Sequence, residues 1–204
     1  MYTYIVFYSR YGNTAKMADA VAEGVDSVEG IHAEMAYVQD TITPPEVINR
    51  DERWKEMKER LEADYPPFDM EKFKNADALI MGSPTRFGNM AAQLKDIWDR
   101  TAGLWMEGTL IDKIGAAFTC TASIHGGQET TPVTMFMPMI HHGMIPVGVP
   151  YSEQKLLTTT GGGTPYGATA VVGHASDQPP DETELAIART LGERVGRLTV
   201  KLHS

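Results

Sequence analysis

The first chemically suggestive pattern in the sequence is Ser9-Arg10-Tyr11-Gly12-Asn13-Thr14. A strongly apolar run over residues 2–8 leads into it, and a helical spacing of Met17, Val21, Val25 and Val28 follows. Strand, small-residue turn and helix N-terminus together make an anion nest, because the first amides of a helix lack intrahelical partners and carry partial positive charge. Ser9, Asn13 and Thr14 add side-chain donors, and Gly12 permits close backbone approach. Taken alone, the loop is also compatible with an ordinary capped turn. Two further loops share its composition, SPTRFGNM (83–90) and TASIHGGQET (121–130). Three such loops at one edge of a sheet favour a bound anion. No GxGxxG follows the first apolar run, so a monophosphate is preferred to a dinucleotide pyrophosphate, and the absence of GxxxxGK[ST] excludes a P-loop.

Other chemistries are poorly served. There is no GxSxG elbow, no HExxH and no cysteine-rich ligand set. His141 and His142 are adjacent, so on a helix they diverge and make a poor metal pair, with a capping or core role the default for His142. Cys120, the one cysteine, ends an apolar run and reads as inert packing. Met135, Met137 and Met139 read as core or interface, and no metal site is expected. These absences fit a protein whose chemistry is carried by a bound cofactor.

The elements that must position these loops follow from patterning. Near-continuous apolar runs at 2–8, 33–38, 78–83, 114–120 and 144–148 have the character of strands buried on both faces. Helical patterns alternate with them: one behind Asn13, one with Met90, Leu94, Ile97 and Trp98 behind Asn89 as a candidate N-cap, and a last one through Leu185, Ala188, Leu191, Val195, Leu198 and Leu202. Five strands and about five helices in this rhythm predict an α/β doubly wound parallel sheet of the flavodoxin-like kind, order 2-1-3-4-5, with helices on both faces. Ligands in such sheets bind beyond the carboxyl ends of the strands, where all three loops fall.

The 204 residues are expected to form a single domain over 1–204, with insertions at about 39–75 and 149–181. The first insertion contains RWKEMKERLEA, whose Trp54, Met57 and Leu61 form one apolar edge. A net charge of −9 argues against nucleic acid or an anionic membrane as partner. No apolar run is long enough to span a bilayer, the first residues lack a signal-peptide pattern, and the lone cysteine fits a reducing cytoplasm.

The motifs SRYGNT, GSPTRFGNM, TAGLW, GGQET, HHGM and GGGTPYGA occur in this order along nearly the whole chain. In them the sequence resembles the WrbA family of FMN-dependent NAD(P)H:quinone oxidoreductases. The resemblance implies a flavodoxin-like homotetramer that holds FMN non-covalently and uses NADH or NADPH to reduce quinones by two electrons in a ping-pong cycle. Carried over, Ser9, Arg10, Tyr11, Gly12, Asn13 and Thr14 would hold the FMN phosphate, with Tyr11 also near the nicotinamide nucleotide. Thr85, Arg86 and Phe87 would border the isoalloxazine ring, and Thr121, Ala122, Ser123, Ile124, His125 and Gly126 would wrap its other side. Trp105, His141 and Tyr151 would line the substrate pocket above the flavin, some of them from neighbouring subunits. The chain departs from the family at Thr121–Gly127: many members have Ser-Thr-Gly-Thr-Gly-Gly-Gly there, and this chain reads Thr-Ala-Ser-Ile-His-Gly-Gly, with two glycines lost. Two rival functions remain at this level, a flavodoxin-type carrier of single electrons between proteins and an FMN-holding interaction module.

Overall fold

The computed structural model describes residues 1–204. The N-terminal apolar run forms β1 (Tyr2–Phe7), and Gly12 turns the chain into α1 (Asn13–Asp26). Next come β2 (His32–Tyr37), the single turn α2 (Pro45–Ile48), α3 (Glu52–Asp64) and α4 (Met70–Asn75). The sheet resumes with β3 (Ala78–Pro84), followed by α5 (Ala92–Asp99) and the short α6 (Ala102–Met106). After β4 (Ile114–Thr121) come α7 (Thr130–His141), β5 (Ile145–Pro146), α8 (Lys155–Thr158), β6 (Ala168–Val171) and the closing α9 (Glu182–Leu202).

All strand pairs are parallel, and the order is β2-β1-β3-β4-β5, with β6 also on β4. This is the doubly wound arrangement the apolar runs predict. β1, β3 and β4 are buried along nearly their whole length, which explains their lack of polar alternation. The fifth position differs from expectation in an instructive way. Ile145 and Pro146 pair with Ile114 and Gly115, whereas Ala168–Val171 pair with Phe118–Thr121 further up the same strand. Two short strands therefore share one place, and residues 147–167 leave the sheet between them. Ile145 N and Val147 N donate to the Lys113 and Gly115 carbonyls at 2.9 and 2.8 Å, so Pro146, between two donors, is tolerated at this edge without loss of a ladder bond to β4.

Helices α1 and α9 lie side by side on the sheet. Their backbones touch through two glycines: a Cβ on Gly192 would fall 2.0 Å from the Val21 carbonyl oxygen, and one on Gly24 2.0 Å from that of Arg189. Trp54 and Leu61 bury the predicted apolar edge of α3, with Met57 half-buried beside them. Asn89 is not an N-cap. Its side chain accepts from Met90 N at 2.9 Å, its backbone pairs with Arg86, and the helix begins only at Ala92, where Ser83 Oγ accepts from Ala91 N at 2.8 Å. The hairpin of residues 86–89 has taken the turn that a longer helix would need.

Candidate functional site

The ends of β1, β3 and β4 converge on one pocket of about 320 Å³. Its floor is the loop before α1. Gly12 sits at φ +88°, the left-handed region that glycine adopts without strain, and no side chain caps the helix. The amides at the start of α1 are therefore left for another acceptor. Ser9, 1% exposed, accepts the Gly12 amide on its Oγ at 3.1 Å and keeps its own hydroxyl proton free to donate. Thr14 is equally buried. Asn13 Nδ2 is partly committed, donating to the Ser176 carbonyl at 3.0 Å.

The β3 loop supplies Thr85 and Arg86. Thr85 N donates to the Cys120 carbonyl at 2.9 Å and so ties this loop to β4. Arg86 Nη1 donates to the Thr85 carbonyl at 2.8 Å, folding the side chain back against the pocket. Burial lowers its pKa from the usual guanidinium value, the mark of a cation with little water around it. Phe87, at φ +54°, points fully into solvent at the tip of the hairpin. From β4 come Thr121 and Ala122, beside Cys120, whose thiol burial pushes up to about 12 and so keeps inert, as its position suggested.

The rest of the TASIHGG loop turns elsewhere. Thr121 Oγ1 donates to the Ser123 carbonyl at 2.9 Å, and the Gly126 amide donates to the same oxygen at 3.0 Å. That tight turn directs Ile124 and His125 toward a second pocket of about 560 Å³, shared with Gln128, Gly161, Gly163 and Thr164. Trp105 and His141 are brought together, Trp105 Nε1 donating to the His141 carbonyl at 2.9 Å, but in a groove with Trp98 and Thr101 rather than in the anion pocket. Tyr151 is exposed on the 147–167 excursion. His142 is buried at the end of α7, bonded at Nε2 to Thr101 Oγ1 at 2.8 Å, with burial lowering its pKa, consistent with its default reading.

Val172, His174 and Ser176, in the loop after β6, also line the anion pocket and were not singled out from sequence. The available signal was composition: Gly173-His-Ala-Ser176 is a fourth small, hydroxyl-bearing loop after an apolar run.

The residues fit a phosphate monoester. No acidic side chain lines the pocket, although the chain has 27 Asp and Glu against 18 Lys and Arg. Arg10 and Arg86 are both in the lining, and Arg10 Nε is buried with no acceptor within the protein. Nearby negative charge is already engaged. Asp40 accepts from Tyr8 Oη at 2.8 Å and from Thr43. Burial alone would raise its pKa, but the hydrogen bonds from Gln93, Thr43 and Tyr8 outweigh that and hold it below the ordinary value.

Comparison with known proteins adds a family to this geometry. A family model described as NADPH-dependent FMN reductase matches residues 8–153. A protein of Trichlorobacter lovleyi named NAD(P)H dehydrogenase (quinone) is 48% identical over 201 residues, 97% of each chain. One of the same name from Chromohalobacter salexigens is 44% identical over 200 residues, covering 97% of this chain and 96% of its own. Among solved structures, a WrbA-like flavodoxin from Agrobacterium tumefaciens superposes with a TM-score of 0.65 at 22% identity over 98% of both chains. A flavodoxin from the domain Archaea gives 0.63 at 19% identity, over 98% of this chain and 99% of the other. At these identities the two structures speak for the fold.

Proposed function

Because the chain belongs to the NADPH-dependent FMN reductase family, we propose that it is an NAD(P)H:quinone oxidoreductase working through non-covalently bound FMN. The observation that carries this reading is the anion pocket: an uncapped helix N-terminus, two lining arginines and no lining carboxylate in an acidic chain. Ser9, Gly12, Asn13 and Thr14 hold the phosphate through amides and hydroxyls, and Arg10 adds charge. Thr85, Arg86, Thr121 and Ala122 flank the ring, where the desolvated Arg86 guanidinium favours negative charge at the ring edge. Tyr11, half-buried at the pocket mouth, faces the nicotinamide nucleotide.

FMN held by Ser9, Gly12, Asn13 and Thr14 would supply the two-electron chemistry that links oxidation of NAD(P)H to reduction of a quinone, nucleotide and quinone taking turns in one space. The overall change is NAD(P)H plus quinone plus one proton giving NAD(P)+ plus hydroquinone, so one proton comes from water or a side chain. Trp105, His141 and Tyr151 do not border the anion pocket of their own protomer. In this reading a homotetramer brings them over a neighbour's flavin, and the exposed Phe87, Trp105, Met106, Tyr151 and Leu157 give the assembly its apolar surface. We read residues 1–204 as one domain acting in the cytoplasm; no helix is long and apolar enough to cross a membrane.

The test is turnover. FMN-loaded protein with NADH or NADPH and benzoquinone should give steady nucleotide oxidation with hydroquinone formed mole for mole. A single stoichiometric reduction with no turnover would refute the reductase and favour an electron carrier.

A further inference from the structure

Residues 39–75 are longer than a connection between two parallel strands requires, and their N-terminal half docks on the loop before α1 and on the loop after β6. Asp51 caps α3, its Oδ1 accepting from Trp54 N at 3.1 Å, and turns Oδ2 to Tyr11 Oη at 2.5 Å. Arg10 Nη2 lies 3.7 Å from the same oxygen, and its guanidinium stacks 3.7 Å above the Trp54 ring. Hydrogen bonds from Tyr11 and the Trp54 amide, with Arg10 and Arg53 nearby, hold the Asp51 carboxyl below the usual carboxylate range. Arg53 crosses the Tyr11 ring at 4.7 Å to reach the loop after β6, where Nη1 donates to the Ala175 carbonyl at 2.7 Å and Nη2 to that of Ser176. The Ser176 carbonyl also receives Asn13 Nδ2, and Ser176 itself is held at φ +53°, a conformation non-glycine residues adopt only under constraint. His174 and Ser176 line the pocket.

We propose that the insertion is a clamp on the phosphate subsite: Asp51 and Trp54 set the direction of Arg10, and Arg53 latches residues 173–178 against the pocket, so that the clamp governs how fast FMN leaves. This rests on the reading of the pocket as the FMN phosphate subsite. Arg53 and Trp54 are positioning residues, acting through Arg10 and through the loop. Two charge-assisted bonds from one exposed side chain make Arg53 the sensitive point, because removing them frees the loop without opening the core.

The experiment compares FMN with riboflavin, which lacks the phosphate, on the full-length protein by flavin fluorescence. Arg53→Gln should release FMN about tenfold faster, the effect expected from losing about 1.4 kcal/mol of charge-assisted bonding. Riboflavin affinity should not move, and the melting temperature of the apoprotein should fall by only about 2–6 °C, the shift that loss of these bonds within the protein implies. Trp54→Ala should also speed FMN release, whereas Trp54→Phe, which keeps an aromatic face for Arg10, should restore the slow rate. Wild-type protein that prefers FMN, with Arg53→Gln releasing it at the wild-type rate, would overturn the clamp alone. So would an equal loss for both flavins. Equal affinity of the wild type for FMN and riboflavin would overturn the phosphate subsite and the clamp with it.

Discussion

Asn13→Asp should lower FMN affinity by about a hundredfold while leaving riboflavin affinity nearly unchanged. The substitution is nearly isosteric at the first residue of α1, a position 8% exposed. For folding, the helix-dipole gain only partly offsets the loss, because the new carboxylate oxygen faces the Ser176 carbonyl that Asn13 Nδ2 had bonded. The change loses the donor to the Ser176 carbonyl, about 1 kcal/mol, and gains a favourable helix-dipole interaction of about 0.3–1 kcal/mol. For the ligand nothing offsets the new charge. Two like charges about 4 Å apart with near-surface screening repel by about 4 kcal/mol, roughly a thousandfold in affinity, and partial access of water to the pocket reduces this to about a hundredfold. Titration of the apoprotein with each flavin measures it. Parallel weakening of FMN and riboflavin would mean that the side chain matters to the ring and not to the phosphate.

The second large effect is on stability. Glu184, 1% exposed, accepts on Oε1 from Gly162 N at 2.7 Å and from Val171 N at 2.8 Å, and on Oε2 from Asp181 N at 2.9 Å. One carboxylate thus joins the glycine-rich turn, β6 and the capping box of α9. Glu184→Ala strands the Gly162 and Val171 amides at about 1–3 kcal/mol each, less for the half-exposed Val171, and loses the reciprocal cap, for a total of about 3 kcal/mol. That is a large part of the 5–15 kcal/mol typical of a folded domain. Glu184→Gln keeps an acceptor oxygen and should cost distinctly less. Urea denaturation of the three proteins at a common m-value gives the comparison, and a loss below about 1 kcal/mol for the alanine variant would contradict the assigned role.

Much of the sheet was legible because strands covered on both faces must be apolar throughout, as β1, β3 and β4 are. The uncapped start of α1 was legible for a related reason: a helix that begins with Gly12 rather than a capping side chain leaves amide donors without a partner. What the sequence concealed depended on contacts far apart along the chain. Arg53 meets Ser176 across 123 positions, and no local pattern links them. The place of His174 in the pocket required β6, a strand of four residues lying within a stretch read as an insertion. Ile124 and His125 line a different pocket because the loop closes on the Ser123 carbonyl, a turn that residue types alone do not reveal. Phe87, Trp105 and Tyr151 carry aromatic surface that this chain does not cover.

The most direct measurement is a crystal structure of the protein soaked or co-crystallised with FMN. The account predicts phosphate oxygens within hydrogen-bond distance of the first α1 amides and of the Ser9 and Thr14 hydroxyls, with the ring between the 85–86 and 121–122 segments. Phosphate bound instead in the pocket formed by residues 124–128 and 161–164, or left in solvent with only the ring held, would contradict it.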